Sequence, residues 1–130
     1  MRTNVRATEA GGSGMAAAGK KKGTVGIIGL GIMGGAFAKN LSAAGWHVVG
    51  FDPNKARSRE AQKAGVELAK SASEVADKTP VILTSLPKPE ALATTAREIA
   101  AAKLSPRVIV EMSTFKIEDK EKAERILRKA

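Results

Sequence analysis

Apolar positions in this chain fall into two patterns that take turns from Thr24 onward. Short continuous runs rich in Val and Ile alternate with longer stretches in which apolar residues return every three or four positions, the signatures of buried strands and one-sided helices. Val25-Gly26-Ile27-Ile28 is the first run; after a glycine turn, Met33, Phe37 and Leu41 recur every four residues and predict a helix presenting them on one face. Trp46 to Phe51, following the helix-ending Gly45, predicts a second strand that stops at Asp52. A polar helix over 54–64 then ends at Gly65, and Val66-Glu67-Leu68 reads as a short edge strand. Ser71 with Glu74 three residues on forms a capping box that opens a brief helix through Val75. Pro80 to Leu86 predicts a fourth strand, its proline at the first residue where no ladder donor is needed, and Pro87 and Pro89 end it. A helix over 90–102 turns Leu92, Ala96 and Ile99 inward, Val108, Ile109, Val110 and Met112 form a fifth strand, and a charged helix over 116–130 has Ile117, Ala123, Ile126 and Leu127 as inner positions.

Strands separated by helices imply right-handed crossovers and a parallel sheet. The class is therefore α/β, a doubly wound parallel sheet of about five strands whose simplest order is 3-2-1-4-5. In such sheets ligands bind beyond the carboxyl ends of the strands, at the point where the strand order reverses. Three stretches converge there: Gly29 to Gly34, Leu86-Pro87, and Ser113-Thr114.

The first of these carries the most specific chemistry. Gly29, Gly31 and Gly34 fall at the spacing G-x-G-x-x-G between a strand and a helix, the dinucleotide-binding arrangement of a Rossmann domain. Gly29 permits the tight turn, Gly31 lets the backbone approach a pyrophosphate, and Gly34 lets the helix pack closely on the strand, with Leu30, Ile32 and Met33 completing the turn. The free N–H groups of the helix's first turn and the positive end of its dipole favour an anion by about 0.3–1 kcal/mol per charge. Asp52, 18 residues beyond Gly34, stands where an acid accepts hydrogen bonds from the ribose hydroxyls of an adenosine. With Pro53 and Asn54 behind it, the same residue also suits turn and cap chemistry for the next helix.

Composition narrows the classes. One domain fits the length of 130 residues. The absence of Cys excludes disulfides, thiolate metal sites and Cys nucleophiles and fits a reducing cytoplasm, while a single His leaves no histidine-based metal cluster. No apolar run approaches the ~20 residues of a membrane span. Of the net charge of +9, residues 1–23 contribute +4, and elsewhere basic residues are interleaved with acids. With three Phe, one Trp and no Tyr there is no base-stacking platform, so nucleic acid is not expected as a partner. Residues 1–23, with the Gly11-Gly12-Ser13-Gly14 run, read as a disordered basic tail in which Lys20-Lys21-Lys22 is either a solvated flank or an anion-binding arm. His47, within the second strand, suits a structural role better than a catalytic one.

The motifs together resemble the β-hydroxyacid dehydrogenase family, the relatives of 3-hydroxyisobutyrate dehydrogenase and tartronate semialdehyde reductase. Gly29-Leu30-Gly31-Ile32-Met33-Gly34 with Asn40-Leu41 and Ala44-Gly45 is similar to that family's opening motif, and Leu83 to Pro87 to its fourth strand, ending in Leu-Pro beside the cofactor. Glu111-Met112-Ser113-Thr114 is similar to its Asp-x-Ser-Thr motif, which implies that Ser113 faces the substrate and Thr114 lies near the nicotinamide ribose. Glu111 stands where the family usually has Asp, and Ile117 where it has Pro. The resemblance covers 24–130 and reaches neither the helix bearing the family's catalytic Lys nor its helical C-terminal domain. It thus implies a cofactor-binding half, incomplete at its C-terminus, with no catalytic residue and no metal assigned, and none of Lys116, Lys120, Lys122 or Lys129 is a candidate for the missing lysine.

Asp52 favours NAD by repelling a 2′-phosphate; Lys55 and Arg57 keep NADP as the alternative. Two functions remain open. One is the NAD(P)-binding domain of an oxidoreductase acting on a small hydroxyacid, whose substrate binds only when a C-terminal domain is supplied. The other is a non-catalytic dinucleotide-binding module or truncated product. Apolar surface around Val108 to Met112 is expected to be open to further sheet or helix, or to a second copy of the chain as a homodimer.

Overall fold

The computed structural model describes residues 22–130, so the tail expected over 1–23 lies outside the described residues except for its last two. Five strands and five helices alternate: β1 (Thr24–Ile28), α1 (Ile32–Ala43), β2 (His47–Phe51), α2 (Lys55–Lys63), β3 (Glu67–Leu68), α3 (Ala72–Lys78), β4 (Val81–Thr84), α4 (Pro89–Ala101), β5 (Val108–Glu111) and α5 (Ile117–Arg128). All pairings are parallel, in the expected order β3-β2-β1-β4-β5. Order reversal places β1 and β4 side by side, with Ile28 opposite both Phe51 and Thr84.

Successive residues of a strand point to opposite faces, so each face of β1 has its own core. Val25 and Ile27 pack with Ala38 of α1, Val48 of β2 and Ala61 of α2. Ile28 packs on the other face with Val49, with Val75 and Ala76 of α3, with Ile82 of β4 and with Ile99 of α4. The split follows from handedness: crossovers running leftward from β1 lie on one face, and those returning to β4 and β5 lie on the other. Helix α5 packs on α4 through Ala123, Ile126 and Leu127 against Leu92 and Ala96.

Several expectations need correction. Met33 and Phe37 are 42% and 41% exposed, and the residues of α1 buried against the sheet are Gly34 and Ala38. The helix lies too close to the strands for large side chains on that line, so its small residues mark the buried face. Ile117 is 71% exposed because the first turn of α5 extends beyond its contact with α4. Strand β4 is shorter than expected: the chain leaves it at Ser85, although Ser85 N–H still donates to Ile28 O at 2.9 Å. Trp46 precedes β2, its N–H donating to Leu41 O. Helix α3 runs three residues past Val75 to Lys78, and the Thr79 hydroxyl donates to Val75 O at 2.7 Å. Its capping is partly as expected: Ser71 Oγ accepts from Glu74 N–H, whereas the Glu74 carboxylate reaches back to Lys70 N–H.

Candidate functional site

The carboxyl edge of the sheet is knitted together loop by loop. Gly29 N–H donates to Phe51 O and Met112 N–H to Thr84 O, each at 2.9 Å, so the ladders continue one residue past the strands. Two side chains add clasps. Asp52, 8% exposed, accepts Leu30 N–H on Oδ2 and Asn54 N–H on Oδ1, both at 2.8 Å, tying the glycine turn to the end of β2. Ser113, also buried, accepts Leu86 N–H on Oγ at 2.8 Å and ties the loop after β4 to the end of β5. Glu111 underpins the second clasp by accepting the Thr84 hydroxyl at 3.2 Å and Ser113 N–H at 3.0 Å on Oε1. Its buried Oε2 lies 3.2 Å from Lys120 Nζ, an ion pair without hydrogen-bond alignment.

The three glycines of the turn answer to different demands. Gly29 has φ +97°, and a Cβ there would sit 1.9 Å from Ser85 O. At Gly34 a Cβ would sit 1.8 Å from Gly29 O. Both glycines are required by the packing of the protein itself. Gly31 is different: its φ is −72°, and a Cβ would meet nothing closer than the Arg57 guanidinium at 3.5 Å. Helix α1 starts at this residue with no side-chain cap, leaving the N–H groups of its first turn for another acceptor. A cleft of about 420 Å³ opens over the turn between α1 and α2, with Gly31, Ile32, Lys39, Arg57 and Glu60 on its walls.

The expected site residues are distributed unevenly around this edge. Leu30 is buried in the core, so only its backbone belongs to the turn, while Ile32 is 96% exposed over the cleft. Leu86 is half-buried and Pro87 exposed; Thr114 is exposed beside the buried Ser113. Contacts run from Gly29 to Ser85 and Leu86, and from Leu86 to Ser113, so all three predicted stretches meet. Lys39 was missed by the sequence reading. Its signal is helical spacing, since it lies four residues after Gly35 and seven after Ile32 on the cleft side of α1.

Such an edge, with an uncapped helix start over a cleft bearing two cations, is suited to a phosphate diester. The NAD-binding domain of 6-phosphogluconate dehydrogenase defines the family whose sequence model matches residues 24–130. The chain belongs to this family. The mouse mitochondrial 3-hydroxyisobutyrate dehydrogenase is 43% identical over 63 residues, 48% of this chain and 19% of that protein. The Mycobacterium tuberculosis 3-hydroxyisobutyrate dehydrogenase, solved with L-serine, superposes with a TM-score of 0.77 at 29% identity over 82% of this chain and 36% of its own. A Myxococcus stipitatus imine reductase in complex with NADP+ shares the fold, with a TM-score of 0.73 at 21% identity over 82% of this chain and 37% of its own. This NAD-binding domain spans about a fifth of the length of the curated relatives it matches. Among the described residues no helix is long and apolar enough to cross a membrane, and no group of metal-ligating side chains is gathered.

Proposed function

We propose that the chain holds NAD across the glycine turn as the nucleotide-binding half of an oxidoreductase acting on a small hydroxyacid. The single observation that carries this reading is Gly31. Neither its φ nor its neighbours require glycine, and without a Cβ the backbone there stays open to the close approach of a ligand. The pyrophosphate takes the free N–H groups at the start of α1, and Lys39 and Arg57 offset its charge. Asp52 fixes Leu30 N–H and so presets the turn; its remaining lone pairs are available to a ribose hydroxyl. When bound, the nicotinamide supplies or accepts the hydride, and the protein contributes position. Thr114, exposed at the end of β5, is assigned to the nicotinamide side. Ser113 already clasps Leu86, so a substrate-orienting role for it rests on its hydroxyl proton. The L-serine of the mycobacterial neighbour supports a small hydroxyacid as the substrate class.

Turnover is expected only with a partner domain, since Lys120 is paired with Glu111 and no general acid is assigned among the described residues. Steady hydroxyacid oxidation by the 130-residue chain alone would overturn that part of the reading. A cytoplasmic location belongs to the proposal and is checked by fractionation, against the mitochondrial names of the mammalian relatives.

The decisive test is Gly31→Val. The variant is expected to fold and to lose NAD-dependent thermal stabilisation, which for the parent amounts to about 2.7 kcal/mol at a hundredfold excess over Kd. An unchanged NAD-induced rise in Tm would remove the phosphate assignment. One observation favours NADP as the second reading: both Asp52 oxygens already accept backbone N–H groups, and the Arg57 guanidinium lies 3.9 Å from Oδ2. Competitive titration decides between them, and tighter NADP binding would overturn the choice of NAD.

A further inference from the structure

The two clasps of the carboxyl edge share no residue. Asp52 ties the glycine turn to the end of β2, and Ser113 ties the loop after β4 to the end of β5. Behind Ser113 stands Glu111. It is the register partner of Thr84, so the two side chains stand side by side, on the sheet face where Ile109 packs beneath α4 and α5. Thr84 is 1% exposed and the Glu111 side chain 17%. A carboxylate in such a place is costly unless it is paired and hydrogen-bonded.

The two oxygens of Glu111 divide that work. Oε2 faces Lys120 Nζ of α5 at 3.2 Å, which offsets the charge. Oε1 accepts the Thr84 hydroxyl at 3.2 Å and Ser113 N–H at 3.0 Å. The bond to Ser113 N–H orients the peptide on which Ser113 stands, and with it the Oγ that takes Leu86 N–H at 2.8 Å. A continuous chain of contacts therefore runs from Lys120 through Glu111 and Ser113 to Leu86, from helix α5 to the loop bordering the cofactor edge.

We infer that Glu111 is a positioning residue for the nicotinamide half of the site. It acts through Ser113 and Leu86, holding the loops after β4 and β5 at the spacing that the nicotinamide ribose requires; this role rests on the assignment of NAD to the glycine turn proposed above. The glycine turn has its own clasp in Asp52, so the adenosine and pyrophosphate contacts do not depend on Glu111. ADP-ribose, which is NAD without the nicotinamide, reads the first half alone. The ratio of the NAD and ADP-ribose affinities reads the second.

Titration calorimetry of the chain with NAD and with ADP-ribose tests this, and the parent is expected to prefer NAD. Glu111→Met keeps the length of the side chain and removes the acceptor. It should weaken NAD by about tenfold and leave ADP-ribose within about twofold of the parent. A residue that only supported the fold would weaken both ligands together. Ser113→Ala, a smaller change, removes the other end of the clasp and should lower the ratio likewise, a readout that stands even if Glu111→Met does not fold. Because Glu111 acts through Ser113, the double variant should lose no more than either alone. Glu111→Gln combined with Lys120→Met keeps an acceptor oxygen and removes the cation that would compete for it, and should retain most of the preference for NAD. Equal binding of NAD and ADP-ribose by the parent, a parental ratio in Glu111→Met or in Ser113→Ala, or additive losses in their double variant would each overturn the proposal while leaving the glycine-turn assignment intact. A Gln and Met pair no better than Glu111→Met would overturn it equally. A parent that binds neither ligand would overturn the NAD reading and this role together.

Discussion

Replacing Gly34 by alanine drives a methyl carbon to 1.8 Å from Gly29 O, a backbone atom that cannot swing aside. Gly34→Ala is therefore expected to lower Tm strongly whether or not nucleotide is present, whereas Gly31→Val spares the fold and removes the response to NAD. Comparing the two by thermal melts with and without NAD separates a glycine required by packing from one required by a ligand. Asp52 gives a third outcome. Asp52→Ala leaves Leu30 N–H and Asn54 N–H without their acceptor, and the apo chain should lose about 1–3 kcal/mol in urea unfolding. If the apo stability is unchanged, the clasp is not what holds the turn. Both roles read for Asp52 from sequence rest on the same carboxylate, and the order of strand, turn, helix, strand and acid favours the ribose role. Only the structure shows that Oδ1 makes the turn bond to Asn54 N–H while Oδ2 holds Leu30 N–H of the glycine turn.

Among the elements, those with β-branched runs or strong punctuation were legible. Strands β1, β2 and β5 follow from local chemistry that tertiary contacts did not override, whereas Asn54, read as the first residue of α2, is its cap, and Pro89, read as ending a strand, opens α4. Helix α1 was legible as a helix but misread as to its face: Met33 and Phe37 look like core by size, and the sheet accepts only Gly34 and Ala38. The ion cluster joining β2, β3 and α3 could not be read at all, because His47, Glu67 and Lys78 are brought together only by strand pairing and a crossover. Its hydrogen bonds from Lys78 and then His47 hold the Glu67 carboxyl below its ordinary range, and those to Glu67 and Glu74 hold Lys78 above its own. A lowered carboxyl contributes stability present above its unfolded pKa and lost as pH falls through the folded one. A raised ammonium contributes stability present below its unfolded pKa and lost as pH rises through the folded one. Glu67→Gln should therefore flatten the acid limb of a plot of Tm against pH. An acid limb identical to the parent's would show that the cluster contributes nothing there.

At the scale of the molecule, the order 3-2-1-4-5 was legible because handed crossovers leave few alternatives once strands and helices alternate. The same winding puts α1 and α2 on one face and α3, α4 and α5 on the other, which leaves Val108 and Val110 uncovered. Spacing alone brought the glycine turn, Leu86-Pro87 and Ser113-Thr114 to one edge; it could not give the clasps between them, which depend on χ angles and burial. The uncapped start of α1 has a consequence in time. Amides without an acceptor exchange with deuterium almost as fast as an unfolded chain, whatever the stability of the core behind them. In the free protein the amides of Ile32 to Gly34 are therefore expected to label first among those of α1, and saturating nucleotide should move them among the slowest, making these three protons a clock for occupancy.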